Sequence, residues 1–179
     1  MKFKDIFLAP NLITLTRLLV VIYLFFNSTP DNFQVVPLII IISIIGLSDS
    51  LDGVVARRYN LVSKLGIILD PFTDRLVFIL IIFWIRGILP TYFLIGIFVR
   101  EVLILLGSVF VLISKREIKV TKKGKFSTVL MFVIICLQIL NTSMNISYIN
   151  EITLLVLIIY FYVALEYLYI LLYKHGQSH

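Results

Sequence analysis

Long apolar blocks alternate with short polar breaks along the whole chain, and the blocks carry no one-sided amphipathic stripe. Each approaches the roughly 20 residues that a helix needs to cross the hydrocarbon core of a bilayer. The pattern predicts six membrane-spanning helices, at 11–26, 35–59, 65–85, 90–113, 125–140 and 151–173. Thr29-Pro30-Asp31 separates the first two, and Gly87-Ile88-Leu89-Pro90 turns the chain between the third and fourth. The opening stretch 2–8 can lie as a short amphipathic helix on the membrane surface. No linker, internal repeat or low-complexity segment interrupts the series. The expected architecture is one all-α integral membrane domain over 1–179.

Composition strengthens this reading. The chain is 60% hydrophobic and 15% charged, against roughly 25% charged in ordinary globular chains. Its mean hydropathy is +1.07, which excludes a soluble domain. Lys2 and Lys4 precede an apolar run as in a signal peptide, but no small-x-small cleavage site follows Phe26. The first block therefore reads as a retained helix. The one cysteine, Cys136, lies inside an apolar block with no ligand spacing around it and reads as a small packing residue.

Charge then orients the helices. Lys2, Lys4, Arg57, Arg58, Lys64, the cluster from Lys115 to Lys125, and Lys174 all fall on one side. The connections 27–34 and 141–150 hold no lysine or arginine, and only Arg86 lies at the opposite face. The positive-inside rule places both termini in the cytoplasm of a multi-pass protein of the cell membrane. The net charge of +6 is thus topological and lipid-facing. No basic run is interleaved with exposed aromatics, so no nucleic-acid partner is expected.

Against this background, one acidic array stands out. Asp49, Asp52, Asp70 and Asp74 are four of only ten acidic residues, and they crowd onto the facing ends of the second and third helices, at the cytoplasmic edge. Asp49 and Asp52 project about 60° apart on one helix face, and Ala56 returns close to the direction of Asp49. Gly66, Asp70 and Asp74 step by four along the next helix. The short connection 60–64 makes the helices antiparallel neighbours, so the two stripes can face one another. Carboxylates beside lipid are costly unless neutralised. Hard oxygen-only ligands suit Mg²⁺ or Mn²⁺, with phosphate oxygens completing the shell. Gly53, Ala56 and Gly66 add little bulk, so a ligand can approach the backbone, and Arg57 offers a planar fork to a phosphate. The plain alternative is interhelical packing through small residues, with solvated carboxylates at the surface.

These residues match every fixed position of the pattern D-x2-D-G-x2-A-R-x8-G-x3-D-x3-D, from Asp49 to Asp74. The run resembles the signature of the CDP-alcohol phosphotransferase family, and the six-helix layout is similar across essentially the whole chain. The resemblance implies transfer of a substituted phosphate from a CDP-linked donor to an alcohol, with release of CMP. It implies that Asp49, Asp52, Asp70 and Asp74 hold two metal ions. It further implies that Asp49, Asp52, Gly53, Ala56, Arg57 and Gly66 bind the nucleotide, and that Asp74 is the general base. A homodimer is also what the resemblance implies.

Shorter motifs bear on the acceptor. Pro10-Asn11-Leu12-Ile13-Thr14-Leu15-Thr16-Arg17, the Arg100-Glu101 pair and Gly124-Lys125-Phe126-Ser127-Thr128 resemble segments of phosphatidylglycerophosphate synthases. The expected reaction carries a phosphatidyl group from CDP-diacylglycerol to glycerol 3-phosphate, with Lys125 and Arg100 on the acceptor phosphate. Ser127 departs from that pattern, in which a second lysine is expected. The nearest rival is a cardiolipin synthase, whose acceptor would be phosphatidylglycerol. Arg100 can instead form a structural ion pair, with Glu166 as the suggested partner. From a different class, a small cation transporter is disfavoured because the acids cluster at one membrane edge and no pair of interrupted helices repeats.

Overall fold

A computed structural model describes residues 9–58, 64–113 and 122–173, with side chains described for 11–48, 72–107 and 123–169. The stretch 2–8, read as an interfacial helix, and the basic stretch 114–121 lie outside the described residues. The described residues form six α-helices and one 3-10 turn, with no strand among them. The helices are α1 (Ala9–Asn27), α2 (Val35–Arg58), α3 (Lys64–Trp84), α4 (Thr91–Ile113), α5 (Lys122–Met144) and α6 (Ile149–Tyr173). They group into two compact units, Met1–Gly87 and Ile88–His179.

In the first unit α1 packs against both α2 and α3. Pro10 sits in the first turn of α1, where a missing N–H costs nothing and the fixed φ suits helix entry. At the other end Asn27 Nδ2 donates to the Tyr23 carbonyl and Ser28 Oγ to that of Leu24, at 3.0 and 2.7 Å. The Leu24 carbonyl also accepts the Ser28 N–H at 3.0 Å, which closes the helix end before Pro30–Asn32 turns the chain as a 3-10 helix. Trp84 ties the end of α3 back to this corner. Its indole N–H donates to the Ser28 carbonyl at 2.9 Å, and its ring meets Phe33 edge-on, with centroids 5.8 Å apart.

In the second unit α6 packs against α4 and α5. Gly96 lets α4 approach α6 closely: a Cβ there would stand 2.7 Å from a Leu157 methyl carbon. Asn145 closes α5 with φ 47°, a left-handed conformation that asparagine tolerates, while its neighbour Ile146 donates its N–H to Asn141 Oδ1 at 2.7 Å. Buried Gln138 donates to Thr153 Oγ1, which donates to the Ile149 carbonyl, each at 2.7 Å.

Polar groups therefore face inward, while Leu155, Ile158, Tyr162, Leu165 and Tyr169 form an exposed stripe on α6. An apolar exterior of this extent suits lipid. Lys123–Met144 and Ile149–Tyr169 are long and apolar enough to cross a bilayer, at mean hydropathies of 1.8 and 2.0. Asn11–Asn27 and Val35–Ser48 are shorter apolar helices.

Candidate active site

Asp49, Asp52, Gly53, Ala56 and Arg57 lie on the last turns of α2, and Gly66 and Asp70 on the first turns of α3. Their side chains lie outside those described. Asp74, one turn beyond Asp70, is described. Its carboxylate Oδ1 accepts a hydrogen bond and ion pair from the Arg17 guanidinium of α1. Arg17 is 6% exposed and belongs to a polar stripe with Asn11 at 2% and Thr14 at 0%. Thr73, beside Asp74, is also buried. The three α1 residues recur at helical spacing, so one face of α1 is polar where it would ordinarily be apolar. That face carries the cation which neutralises Asp74.

At 1.5 Å per residue, Asp74 lies about 15 Å from Lys64 at the start of α3 and a similar distance from Trp84 at its end. Arg17 occupies the middle of described α1. The pair therefore sits midway along both helices.

In the second unit, Arg100 and Glu101 are 7% and 2% exposed. Arg100 Nη1 donates to Glu101 Oε1 at 2.5 Å, and Tyr160 Oη donates to the same oxygen at 2.8 Å. The Arg100 guanidinium also stacks over the Tyr160 ring, 3.9 Å from its centroid. Arg100 Nε has no hydrogen-bond partner among the described residues. The suggested Arg100–Glu166 pair is corrected: Glu166 instead accepts from Lys123 of α5 at 2.6 Å. Arg100 reaches the nearer carboxylate, which Tyr160 holds in place from α6. Lys125 is exposed at the start of α5. Ser127 is 1% exposed and donates to the Gly124 carbonyl at 2.9 Å, while exposed Thr128 donates to the same carbonyl at 3.0 Å.

A family model for CDP-alcohol phosphatidyltransferases matches residues 7–168. The chain belongs to that family. It is 34% identical over 127 residues to a Mycobacterium tuberculosis protein provisionally named a cardiolipin synthase, covering 67% of this chain and 58% of that protein. It is 27% identical over 124 residues to the CDP-diacylglycerol–glycerol-3-phosphate 3-phosphatidyltransferase of Aquifex aeolicus, covering 67% of this chain and 68% of that one. A Cereibacter sphaeroides protein of the same name is 29% identical over 149 residues, covering 76% and 65% of the two chains. This chain thus spans less than two thirds of the first of these relatives. The family is one of membrane proteins, in keeping with the apolar exterior and the two bilayer-length helices.

Proposed function

We propose that this chain is a phosphatidyltransferase that moves a phosphatidyl group from CDP-diacylglycerol to an alcohol and releases CMP. The observation that carries this reading is Asp74, the last signature aspartate, held by buried Arg17 beside an array of further carboxylates in sequence. In the reaction the acceptor hydroxyl oxygen forms a bond to the donor's phosphatidyl phosphorus, the pyrophosphate P–O bond breaks, and CMP departs. Asp74 takes the hydroxyl proton. A carboxylate is a weak base, so alignment of the alcohol for in-line attack must supply much of the acceleration.

The donor set of Asp49, Asp52, Asp70 and Asp74 is all hard oxygen, which fits Mg²⁺ or Mn²⁺. Bound there, two such ions would neutralise charge on the donor pyrophosphate and on departing CMP. Gly53, Ala56, Arg57 and Gly66 would line the nucleotide. The protein is read as a single domain of six spans with both termini and the active site on the cytoplasmic side of the cell membrane, and as a homodimer. A reporter fused at Asn145 should then be extracytoplasmic; a cytoplasmic signal would overturn the topology.

Glycerol 3-phosphate is the first acceptor, with Lys125 and Arg100 on its phosphate; the products are phosphatidylglycerol phosphate and CMP. Phosphatidylglycerol is the second, and specific observations favour it. Ser127 stands where another cation is expected, and its hydroxyl is buried and directed at its own helix. Arg100 is buried and committed to Glu101. A dianionic acceptor loses more from this shortage of cations than a singly charged phosphodiester does. Purified protein with CDP-diacylglycerol, Mg²⁺ and an acceptor panel decides between them. CMP release with phosphatidylglycerol and none with glycerol 3-phosphate would overturn the first acceptor. Turnover that survives chelation of divalent metal would overturn the metal assignment, and ion flux without CMP release the whole reading.

A further inference from the structure

Two opposite charges lie buried at adjacent positions of α4, with Arg100 Nη1 donating to Glu101 Oε1 at 2.5 Å. Adjacent helical residues point about 100° apart, so the helix backbone alone does not bring them together. Tyr160 of α6 does. Its hydroxyl donates to the same Glu101 oxygen at 2.8 Å, and its ring lies 3.9 Å from the guanidinium carbon. One side chain thus fixes the carboxylate with its polar tip and the cation with its face. The pairing is still incomplete. An arginine commonly meets a carboxylate through two parallel N–H groups, and here Nη1 alone bonds Glu101. Nε is buried with no hydrogen-bond partner among the described residues. The Arg100 side chain keeps 8% of its surface exposed against 3% for Glu101, so the cation is the charge that a guest meets first.

We infer that Glu101 and Tyr160 set how much positive charge Arg100 presents, and thereby bias the acceptor site away from dianionic phosphate monoesters. The inference rests on the phosphatidyl-transfer reading above, with Arg100 on the acceptor phosphate. A lone arginine among apolar helices would attract a dianion most strongly, because the attraction grows with ligand charge and little water screens it. Glu101 cancels that charge at contact distance and repels a second negative charge on the guest. What remains is hydrogen-bonding capacity with no net charge. A singly charged phosphodiester enters such a site at smaller cost than a dianion, which sheds more hydration for no matching Coulombic gain. Tyr160 is a positioning residue. It acts on the guest only through Glu101 and Arg100, by holding the carboxylate where it neutralises the guanidinium.

The test uses full-length protein in phosphatidylcholine nanodiscs with CDP-diacylglycerol and Mg²⁺, read as CMP release. Glycerol 3-phosphate and phosphatidylglycerol are each titrated at about pH 7.5, where the monoester is mostly a dianion. Each is treated as substrate where it is consumed and as competitor where it is not. The ratio of the two affinities does not depend on how much of the enzyme is folded. Glu101→Gln keeps an oxygen for Arg100 and Tyr160 but removes the negative charge. It should strengthen glycerol 3-phosphate relative to phosphatidylglycerol by about tenfold. Tyr160→Phe keeps the ring and releases the carboxylate, and should move the ratio the same way by about threefold. Neither shift should survive in an Arg100→Gln background, because both act through the guanidinium. Tyr92→Phe, which loses a hydroxyl bonded to the Asn150 carbonyl in the same unit, should leave the ratio unchanged. An unchanged ratio in either Glu101→Gln or Tyr160→Phe would overturn the inference, as would a shift that persists without Arg100. Failure of the transfer reading shows separately, as no CMP release with any acceptor.

Discussion

Breaking the Arg17–Asp74 pair gives the sharpest test of how the first unit is held together. The two side chains are unequally buried, at 4% exposed for Arg17 and 37% for Asp74. Removing one partner of a fully buried pair costs about 3–5 kcal/mol, whereas an exposed pair contributes about 0–1 kcal/mol. Water already screens Asp74 in part, so this pair falls between those limits. A double-mutant cycle of Arg17→Met, Asp74→Asn and the double variant should give a coupling of about 1.5–3 kcal/mol. Trp84, the only tryptophan, lies in the same unit and is fixed to Ser28 and Phe33, so its fluorescence reports unfolding there. Titration with SDS in mixed micelles supplies the equilibrium. Coupling below about 0.5 kcal/mol, within ordinary additivity, would refute the pair as an energetic unit. The exposed Lys123–Glu166 pair is the control, and Lys123→Met should leave the unfolding midpoint unchanged.

Asp74→Asn should lower CMP release by about 10²–10⁴-fold while CDP-donor binding by calorimetry persists; activity within tenfold of the parent would reject the base role. Asp49→Asn should raise the Mg²⁺ concentration for half-maximal activity by about tenfold or more and weaken donor binding in parallel, so an unchanged titration counts against ligation. Tyr160→Phe keeps the ring under Arg100 but removes the hydroxyl bonded to Glu101. It should cost about 1.5–3 kcal/mol of stability, and an unaltered melting midpoint would contradict that estimate.

Helix positions were legible because hydropathy marks the hydrocarbon-facing part of each helix. The second span was expected at 35–59 and the fourth at 90–113, and they run Val35–Arg58 and Thr91–Ile113. The fifth was expected at 125–140 and runs Lys122–Met144, because the backbone ladder continues through polar ends that hydropathy does not register. Spacing placed Asp49 and Asp52 near the end of the second helix and Asp70 and Asp74 on the third, and they fall on α2 and α3; the side chains of the first three lie outside those described. The cation beside Asp74 was not legible, since Arg17 and Asp74 are 57 residues apart and no local period links them. The usable signal was that an arginine in an apolar helix must find a partner, and the array offered the greatest density of carboxylate. Arg100 misled for a local reason. Adjacent helical residues point about 100° apart and ordinarily do not meet. Here the arginine side chain reaches Glu101, and Tyr160 holds both from α6.

Arg17 changes the account of why acids can stand among apolar helices at all. A carboxylate midway along α3 would carry a heavy desolvation cost, and a metal ion relieves it only while bound. A cation built into α1 relieves it permanently at one position, Asp74, and does so from a helix that carries none of the signature residues. It also sets the direction of that carboxylate, because a guanidinium constrains its acceptor in angle as well as distance. The same arginine also lines an open groove between α1 and α2, with Thr16 and Ser48 beside apolar Ile13, Val20, Ile44 and Ile45. A substitution at Arg17 should therefore disturb both the charge balance and the direction of the Asp74 carboxylate, whereas Val20→Phe, on the same helix, should leave the Asp74 ion pair intact.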